Sequence, residues 1–360
     1  FSWSNEAKGK AAVHVVIIGF ANFDSSSKLI YEYEHVKGEP HEIKVKNINP
    51  YLVEGRDIWI TKVRKPICSV PEMNYGSMPN EGGNLLLDET EKNELISKCP
   101  EAKKFIKKFV MGDELINNIP RYCLWLENIT PDELRKLNPI KERVELVKKL
   151  REYSSRPATK HLAMYPTRFG EVRQPKNKYI ALPRVSSENR KYIPIVILYP
   201  EIIAGDKVYT IPYTTLYHFG ILTSKMHMDW MRLTSGRLES RYSYSNSITY
   251  NNFPWPENPN AKQIKAIETA TQKVLDARLQ FPNSSLADLY DPLTMPPALT
   301  KAHNELDKAV DLAYRPQAFT SEANRMEYLF GLYEKYTANL FTIETKKKKS
   351  IRDQKPGDKK

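Results

Sequence analysis

The chain has 360 residues, of which 41% are hydrophobic and 27% charged, and a formal net charge of +12. That length supports two or three domains with a real core, and no run approaches the ~18 apolar residues of a bilayer-spanning helix. The basic surplus favours a polyanionic partner, although many proteins carry such a surplus for solubility alone.

In chain order, the first predicted element is a strand, "AAVHVVIIGF" at 11–20, apolar on both faces and therefore expected inside a covered sheet. The residues before it lack the charged-then-apolar order of a signal peptide. A turn rich in Asn, Asp and Ser, "NFDSSS", joins it to a second strand over 27–36, and the two read as a hairpin. From about 45 to 256, strand candidates alternate with Pro-punctuated loops: "RDIWITKV", "RYCLWLE", "KYIALPRV", "IPIVILYPEII" and "KVYTIP". Two helices are predicted among them, one over 89–111 and one over 139–154, with Asn138 and Pro139 as cap and first-turn residues. This is a mixed α+β pattern.

After "FPWP" the chain turns helical. Asn258 and Pro259 are expected to open a helix that carries Ile264, Ile267, Val274 and Leu275 on one face; a second carries Leu299, Ala302, Leu306, Ala309, Val310 and Ala313. A third starts near Ser321 and carries Met326, Leu329, Phe330, Tyr333, Tyr336 and Leu340, so a small three-helix bundle is predicted. Such stripes are core, not cofactor boxes. The last segment, 342–360, holds eight Lys or Arg against three Asp or Glu, has no apolar period, and is expected to be disordered; without its surplus of five the body still carries about +7.

Catalytic signatures are scarce. With 14 glycines the sequence contains no GxGxxG and no GxxxxGK[ST], nor any HExxH or GxSxG. His161, His218, His227 and His303 lack ligand spacing, and His227 reads as a packed or capping residue. Cys68, Cys99 and Cys123 are 31 and 24 residues apart, which fits neither a disulfide framework nor a zinc site and points to a reducing cytoplasm. "NINPYL" at 47–52 touches on the Asn-Pro-Pro-aromatic loop of amino methyltransferases, but with one proline, and Asn49, Pro50 and Tyr51 read as an ordinary turn.

The segment "GRLESRYSYSNSITYNNFPWP" at 236–256 is unusual: Arg237, Glu239 and Arg241 stand at every second position and are followed by Tyr242, Tyr244 and Tyr250. Alternate positions of a strand face one side, so Glu239 and Arg241 are expected to project together. Arg matches guanine O6 and N7, and a carboxylate accepts from cytosine N4, so this pair suits both halves of a C·G base pair. An exposed salt-bridged strand is the plain alternative. Ser243, two further on, shares that face.

Taken together and in order, "FSWSNEAKGKAAVHVVIIGF", "NPYLVEG", "GSMPNEGG", "RYCLWL", "SSENRKYIP", "FGILTSKMHMDWM", "GRLESRYSYS" and "YNNFPWP" resemble the MmeI-like DNA adenine methyltransferases of restriction-modification systems (type IIG/IIL) over nearly all of residues 1–341. The resemblance implies an α+β chain in four parts: the last strands of a Rossmann-like methyltransferase sheet (1–44), a target recognition domain (45–256), a helical C-terminal domain (257–341) and the basic tail (342–360). It implies a parent enzyme that moves a methyl group from S-adenosyl-L-methionine to an adenine N6 amine within a bacterial cytoplasm, at the nucleoid. The family's cofactor motif and its Asn-Pro-Pro-aromatic loop would lie upstream of Phe1, so this chain, read as a piece of a longer protein, is expected to bind no cofactor and to be inactive alone.

The implied partners are double-stranded DNA and the upstream methyltransferase domain, in some members with a nuclease, and no membrane. The resemblance places base-reading residues in the "GRLES" region and so supports Glu239 and Arg241; Ser243 is a further candidate only by sharing their face. Arg184, just before "SSENRKY", and Asp206 and Lys207, in the Gly205 turn, are further base-reading candidates, with simple solvation the alternative. Arg190, Lys191, Arg232 and Arg237 suit phosphates, which fix register without carrying sequence. Phe1 and Trp3 are candidates to stack on an extruded base, or equally to pack in a core. A protein-interaction or scaffolding module that binds an acidic partner is the competing function.

Overall fold

The computed structural model describes residues 16–33 and 38–352, with side chains as far as residue 338. Interleaved segments build two compact units: Phe1–Val70, Met226–Pro259 and Asp311–Lys360 form one, and Pro71–Lys225 and Asn260–Val310 form the other. Phe1 and Trp3 lie outside the described residues.

Pro100 divides what looks in sequence like one long helix over 89–111. The helix Glu89–Lys98 is started by a capping box between Asp88 and Glu91, a 3-10 turn comes next over Pro100–Phe105, and Ile106–Val110 is a strand. A proline cannot donate to the preceding turn and pushes the residue before it out of helical geometry, so the pattern breaks there. That strand enters a four-stranded sheet ordered Ile202–Ala204, Ile106–Val110, Tyr122–Leu124, Leu86–Leu87, in which the Ile202–Ala204 pairing is parallel and the others antiparallel. An antiparallel sheet in the same unit runs Asn74–Tyr75, Val208–Pro212, Tyr179–Pro183, Val196–Leu198. "IPIVILYPEII" thus supplies a strand to each sheet.

The helix Asn138–Glu152 falls where its periodicity predicts, with Leu137 as the capping residue in place of Asn138. It buries Ile140, Val144 and Val147 against Leu85, Leu87, Phe109 and Leu124. Each such side chain contributes roughly 1.5–3 kcal/mol on removal from water. One turn on, Arg151 is fully buried, and its guanidinium donates to the carbonyls of Asn80, Leu162, Tyr165 and Arg168 at 2.7–3.1 Å. A buried cation is tolerable here because its donors are occupied. Gly76 lets two backbones touch: a Cβ on it would lie 2.6 Å from the Ala204 carbonyl oxygen, and its N–H donates to Val208 O at 2.9 Å.

In the other unit the helix Lys225–Thr234 contributes Trp230, whose ring lies 6.0–6.1 Å from Phe253, Phe330 and Tyr333 and whose Nε1 donates to Thr249 O at 2.9 Å. Asp229, fully buried, sits 3.1 Å from Arg232 and 3.6 Å from Arg325, which also pairs with Asp311 at 2.7 Å. "YNNFPWP" is core: Phe253 and Trp255 are buried, and Asn251 and Asn252 donate to the carbonyls of Val63 and Thr61 at 2.9 Å. "RDIWITKV" is accordingly extended alongside 247–252 without forming a strand.

The N-terminal expectation is corrected on two counts. Residues 16–20 form no strand and are exposed, with Phe20 at 95%, because among the described residues no strand pairs with them to cover an apolar run. The hairpin instead joins Lys28–Tyr33 to Pro40–Val45, antiparallel from Lys28↔Val45 to Tyr33↔Pro40.

At the helical end, Asn260 caps Ala261–Leu279 through a capping box with Gln263, while Asn258 takes a left-handed φ of 49°, so the start falls two residues later than Asn258 and Pro259 suggest. The helices Pro297–Tyr314 and Glu322–Arg352 come after it. Ala261–Leu279 and most of Pro297–Tyr314 fall in one unit and Glu322–Arg352 in the other. The last helix also runs past Thr342 into the segment expected to be disordered, since Lys and Arg are good helix formers and a nucleated helix extends at the cost of one residue at a time.

Candidate nucleic-acid interface

The helix Lys225–Thr234 delivers the chain into a hairpin of Gly236–Leu238 with Arg241–Ser243, in the register Gly236↔Ser243, Arg237↔Tyr242, Leu238↔Arg241. Two residues, Glu239 and Ser240, make the turn. Glu239 is therefore at the tip and not on the strand, and its φ is +58°. It still meets Arg241, because a two-residue turn folds it back: Arg241 Nη2 donates to Glu239 Oε2 at 2.8 Å. The side chains of Glu239 and Arg241 are 69% and 46% exposed. Strand alternation holds beyond the turn: Tyr242 and Tyr244 are buried, while Arg241 is exposed and Ser243 half-buried on the opposite face.

An exposed ion pair of this kind is worth ~0.2–1 kcal/mol, whereas a bidentate contact to a base edge discriminates by ~1–3 kcal/mol. The pair can thus open toward a base pair at little cost. The turn backbone is less free, since a left-handed φ at a non-glycine residue carries strain.

Arg237 and Arg232 are more committed than their residue type suggests. Arg237 donates to Arg232 O at 2.9 Å and to Ser235 O at 3.2 Å, and its guanidinium lies 4.2 Å from the Tyr242 ring centre. Arg232 sits between Asp229 and Glu322, at 3.1 and 2.9 Å.

Arg184, Asp206 and Lys207 come together in the other unit. Arg184 donates through Nη1 to Asp206 O at 3.0 Å and through its backbone to Lys207 O at 3.1 Å, and Lys207 stands 3.5 Å from the Asp206 carboxylate. Sequence reasoning missed Tyr75 here. The Arg184 guanidinium lies 4.9 Å from its ring centre and that of Arg173 lies 5.8 Å away, while Tyr209 packs against it at 4.9 Å. More than a hundred residues separate Tyr75 from Arg184, so only the sheet pairing could have revealed the stack. Arg190 is half-buried and donates to Ser186 Oγ at 3.3 Å, and Lys191 is exposed.

His227 and His303 are structural. His227 is fully buried, 2.9 Å from Tyr244 Oη, and burial pushes its pKa down to about 3. His303 is also buried, with Nε2 2.8 Å from Tyr290 Oη. Among the described residues no group of three His, Cys, Asp or Glu could hold a metal ion, and no helix is long and apolar enough to cross a membrane. A groove of about 430 Å³ is lined by Lys262, Lys265, Lys273, three alanines, Thr269 and Glu305. Its one carboxylate pairs with Lys273 at 2.6 Å, so its lysine rim does not suit a sulfonium.

Two family comparisons and two relatives place this arrangement. Residues 54–257 match the MmeI target recognition domain and residues 259–341 the MmeI C-terminal domain. The chain is 40% identical over 338 residues to DNA methyltransferase A of Bacillus subtilis (strain 168), covering 94% of this chain and 38% of that protein. It is 48% identical to the Type IIL restriction-modification enzyme MmeI as solved in complex with DNA, with a TM-score of 0.86 over 94% of this chain and 45% of that one. The chain therefore spans less than half the length of either relative. By its two matched domains, this chain belongs to the MmeI family and carries that family's target recognition and C-terminal domains.

Proposed function

We propose that the chain is the DNA-reading part of a site-specific, S-adenosyl-L-methionine-dependent adenine-N6 methyltransferase of a bacterial restriction-modification system, working in the cytoplasm on double-stranded DNA. Cofactor binding and methyl transfer belong to an upstream domain of the same protein, in some members joined by a nuclease, and the chain alone is inactive. The cofactor supplies the methyl group; these residues supply sequence discrimination. The observation that carries the reading is the exposed Glu239–Arg241 pair, 2.8 Å apart at the tip of a short hairpin inside a matched target recognition domain.

Glu239 accepts from a cytosine amine and Arg241 donates to the paired guanine. Ser243, on the same face as Arg241, reaches a neighbouring edge. Arg184, Asp206 and Lys207 form a second reading group, with Arg190, Lys191 and Arg232 toward the backbone, and Phe1 and Trp3 near the extruded base. In the parent enzyme, Glu239→Ala and Arg241→Ala are each expected to cost ~1–3 kcal/mol of discrimination at one base pair and to leave other positions intact. Sequencing of methylated sites from cells that express each variant is the measurement. An unchanged motif in both variants would reduce the pair to a surface salt bridge, and an acidic protein partner would then become the better reading.

A further inference from the structure

Arg237 has the residue type of a phosphate contact but the surroundings of a clamp. A helix leaves its last carbonyls without partners and carries partial negative charge at that end. At the end of the helix Lys225–Thr234, Arg237 answers both: Nη2 donates to Arg232 O at 2.9 Å, and Nη1 to Ser235 O at 3.2 Å and to Gly236 O at 3.4 Å. Three carbonyls within five residues thus converge on one guanidinium. Its plane simultaneously covers the ring of Tyr242, 4.2 Å away, which is its cross-strand partner in the hairpin and is buried. The helix end, the first strand and the second strand are consequently tied at one point, directly beneath the turn that carries Glu239 and, beyond it, Arg241.

We propose that Arg237 is a positioning residue for sequence discrimination: stacked on Tyr242 and hydrogen-bonded to the end of the helix, it fixes the direction in which the hairpin tip presents Glu239 and Arg241. The proposal rests on the reading of that tip as a base-reading element. Its tip residue holds a left-handed backbone, which needs support from below to keep one orientation. Lysine cannot replace arginine in this role. It lacks the planar fork that takes two directions of acceptor while stacking on an aromatic face, although it keeps the charge a phosphate needs.

That difference supplies the test. In the parent enzyme, Arg237→Lys, Arg237→Ala and Tyr242→Leu are compared with Arg241→Ala for two readouts: base preference at each position of the methylated site, and the salt dependence of duplex binding. A positioning role predicts that all three variants lose about tenfold or more of the preference at the single base pair lost in Arg241→Ala, while the other positions and the salt slope hold. Arg237→Ala combined with Tyr242→Leu is expected to lose no more than either alone, since the two act as one unit. If Arg237→Lys keeps full discrimination, or if Arg237→Ala weakens every sequence alike and flattens the salt slope by about one ion, Arg237 is a phosphate contact and the proposal fails. If instead Arg241→Ala leaves preference unchanged, it is the reading of the tip that has failed, and the positioning role with it. Arg237→Lys preserves charge and most of the stem, so the comparison survives even if the alanine variant folds poorly.

Discussion

At the scale of single residues, burial accounts for most of the unusual chemistry. His227 is neutral because its imidazole is surrounded by Tyr244 and Phe253 instead of water, and its pKa falls to about 3. His303 shifts the same way, first through burial and then through the nearby Arg278 guanidinium. In the unfolded chain both protonate near ~6.5, so below that pH the unfolded state binds more protons, for His227 down to about 3. Stability is therefore full above pH 6.5 and lost as pH falls. For His227 the loss reaches about 2 kcal/mol by pH 5 at ~1.4 kcal/mol per unit, and His303 adds to it in the same direction. Carboxylates held low by lysine partners, such as Glu133 beside Lys104, add their loss only below about pH 4.5. Melting temperature is expected to drop between pH 7.5 and 5, and His227→Gln to flatten that drop. An equal drop in both proteins would exclude His227 as its source.

At the scale of elements, two glycines with opposite surroundings should respond in opposite directions. Gly76 lies where a Cβ would press on backbone that cannot retreat, so Gly76→Ala is expected to destabilise by ~1–3 kcal/mol. Gly331 sits within the helix Glu322–Arg352 with nothing within 4 Å of its missing Cβ, so Gly331→Ala is expected to stabilise by ~0.5–1 kcal/mol. Chemical denaturation of the two variants measures both. The Ile140, Val144, Val147 stripe and the Leu299–Val310 stripe each declare their helix, because an amphipathic face has only one period that buries it. "KVYTIP" and "KYIALPRV" read correctly as strands because short β-branched and aromatic apolar runs bounded by turn residues suit strands covered on both faces. Legibility failed where a distant segment decides: "RDIWITKV" has strand composition, but the Asn251 and Asn252 amides take its carbonyls, and the first hairpin picks a strand downstream of Tyr33. In the candidate site, the residue types and the outward face of Arg241 and Ser243 were visible. The displacement of Glu239 into the turn was not, because alternation along a sequence does not say where a strand ends.

For the whole molecule, charge and architecture work on different tasks. A net charge of +12 gives attraction to any duplex, and each phosphate that is neutralised releases counterions. If the chain engages about four phosphates, duplex affinity should fall on the order of 100-fold between 50 and 200 mM salt, with a log-log slope near −4 that is shared by cognate and non-cognate sequences. Equal affinity across that range would rule out backbone attraction as the source of binding. Discrimination, on the proposed reading, is carried by a few exposed side chains, so affinity and selectivity should be separable by mutation.

The left-handed backbone at Glu239 sets the vocabulary in which that tip can be rewritten. Asparagine, aspartate and glycine enter φ near +58° at least cost, unbranched polar residues such as glutamate and glutamine at moderate cost, and valine, isoleucine and threonine at the greatest. Position 241, on an ordinary strand, has no such restriction. If the tip reads a base pair as proposed, position 239 is therefore drawn from a short list fixed by backbone geometry and position 241 from nearly the whole set. Changes of specificity should accordingly spread more widely at 241 than at 239, and tend to pair amides or acids at the tip with diverse partners two residues on.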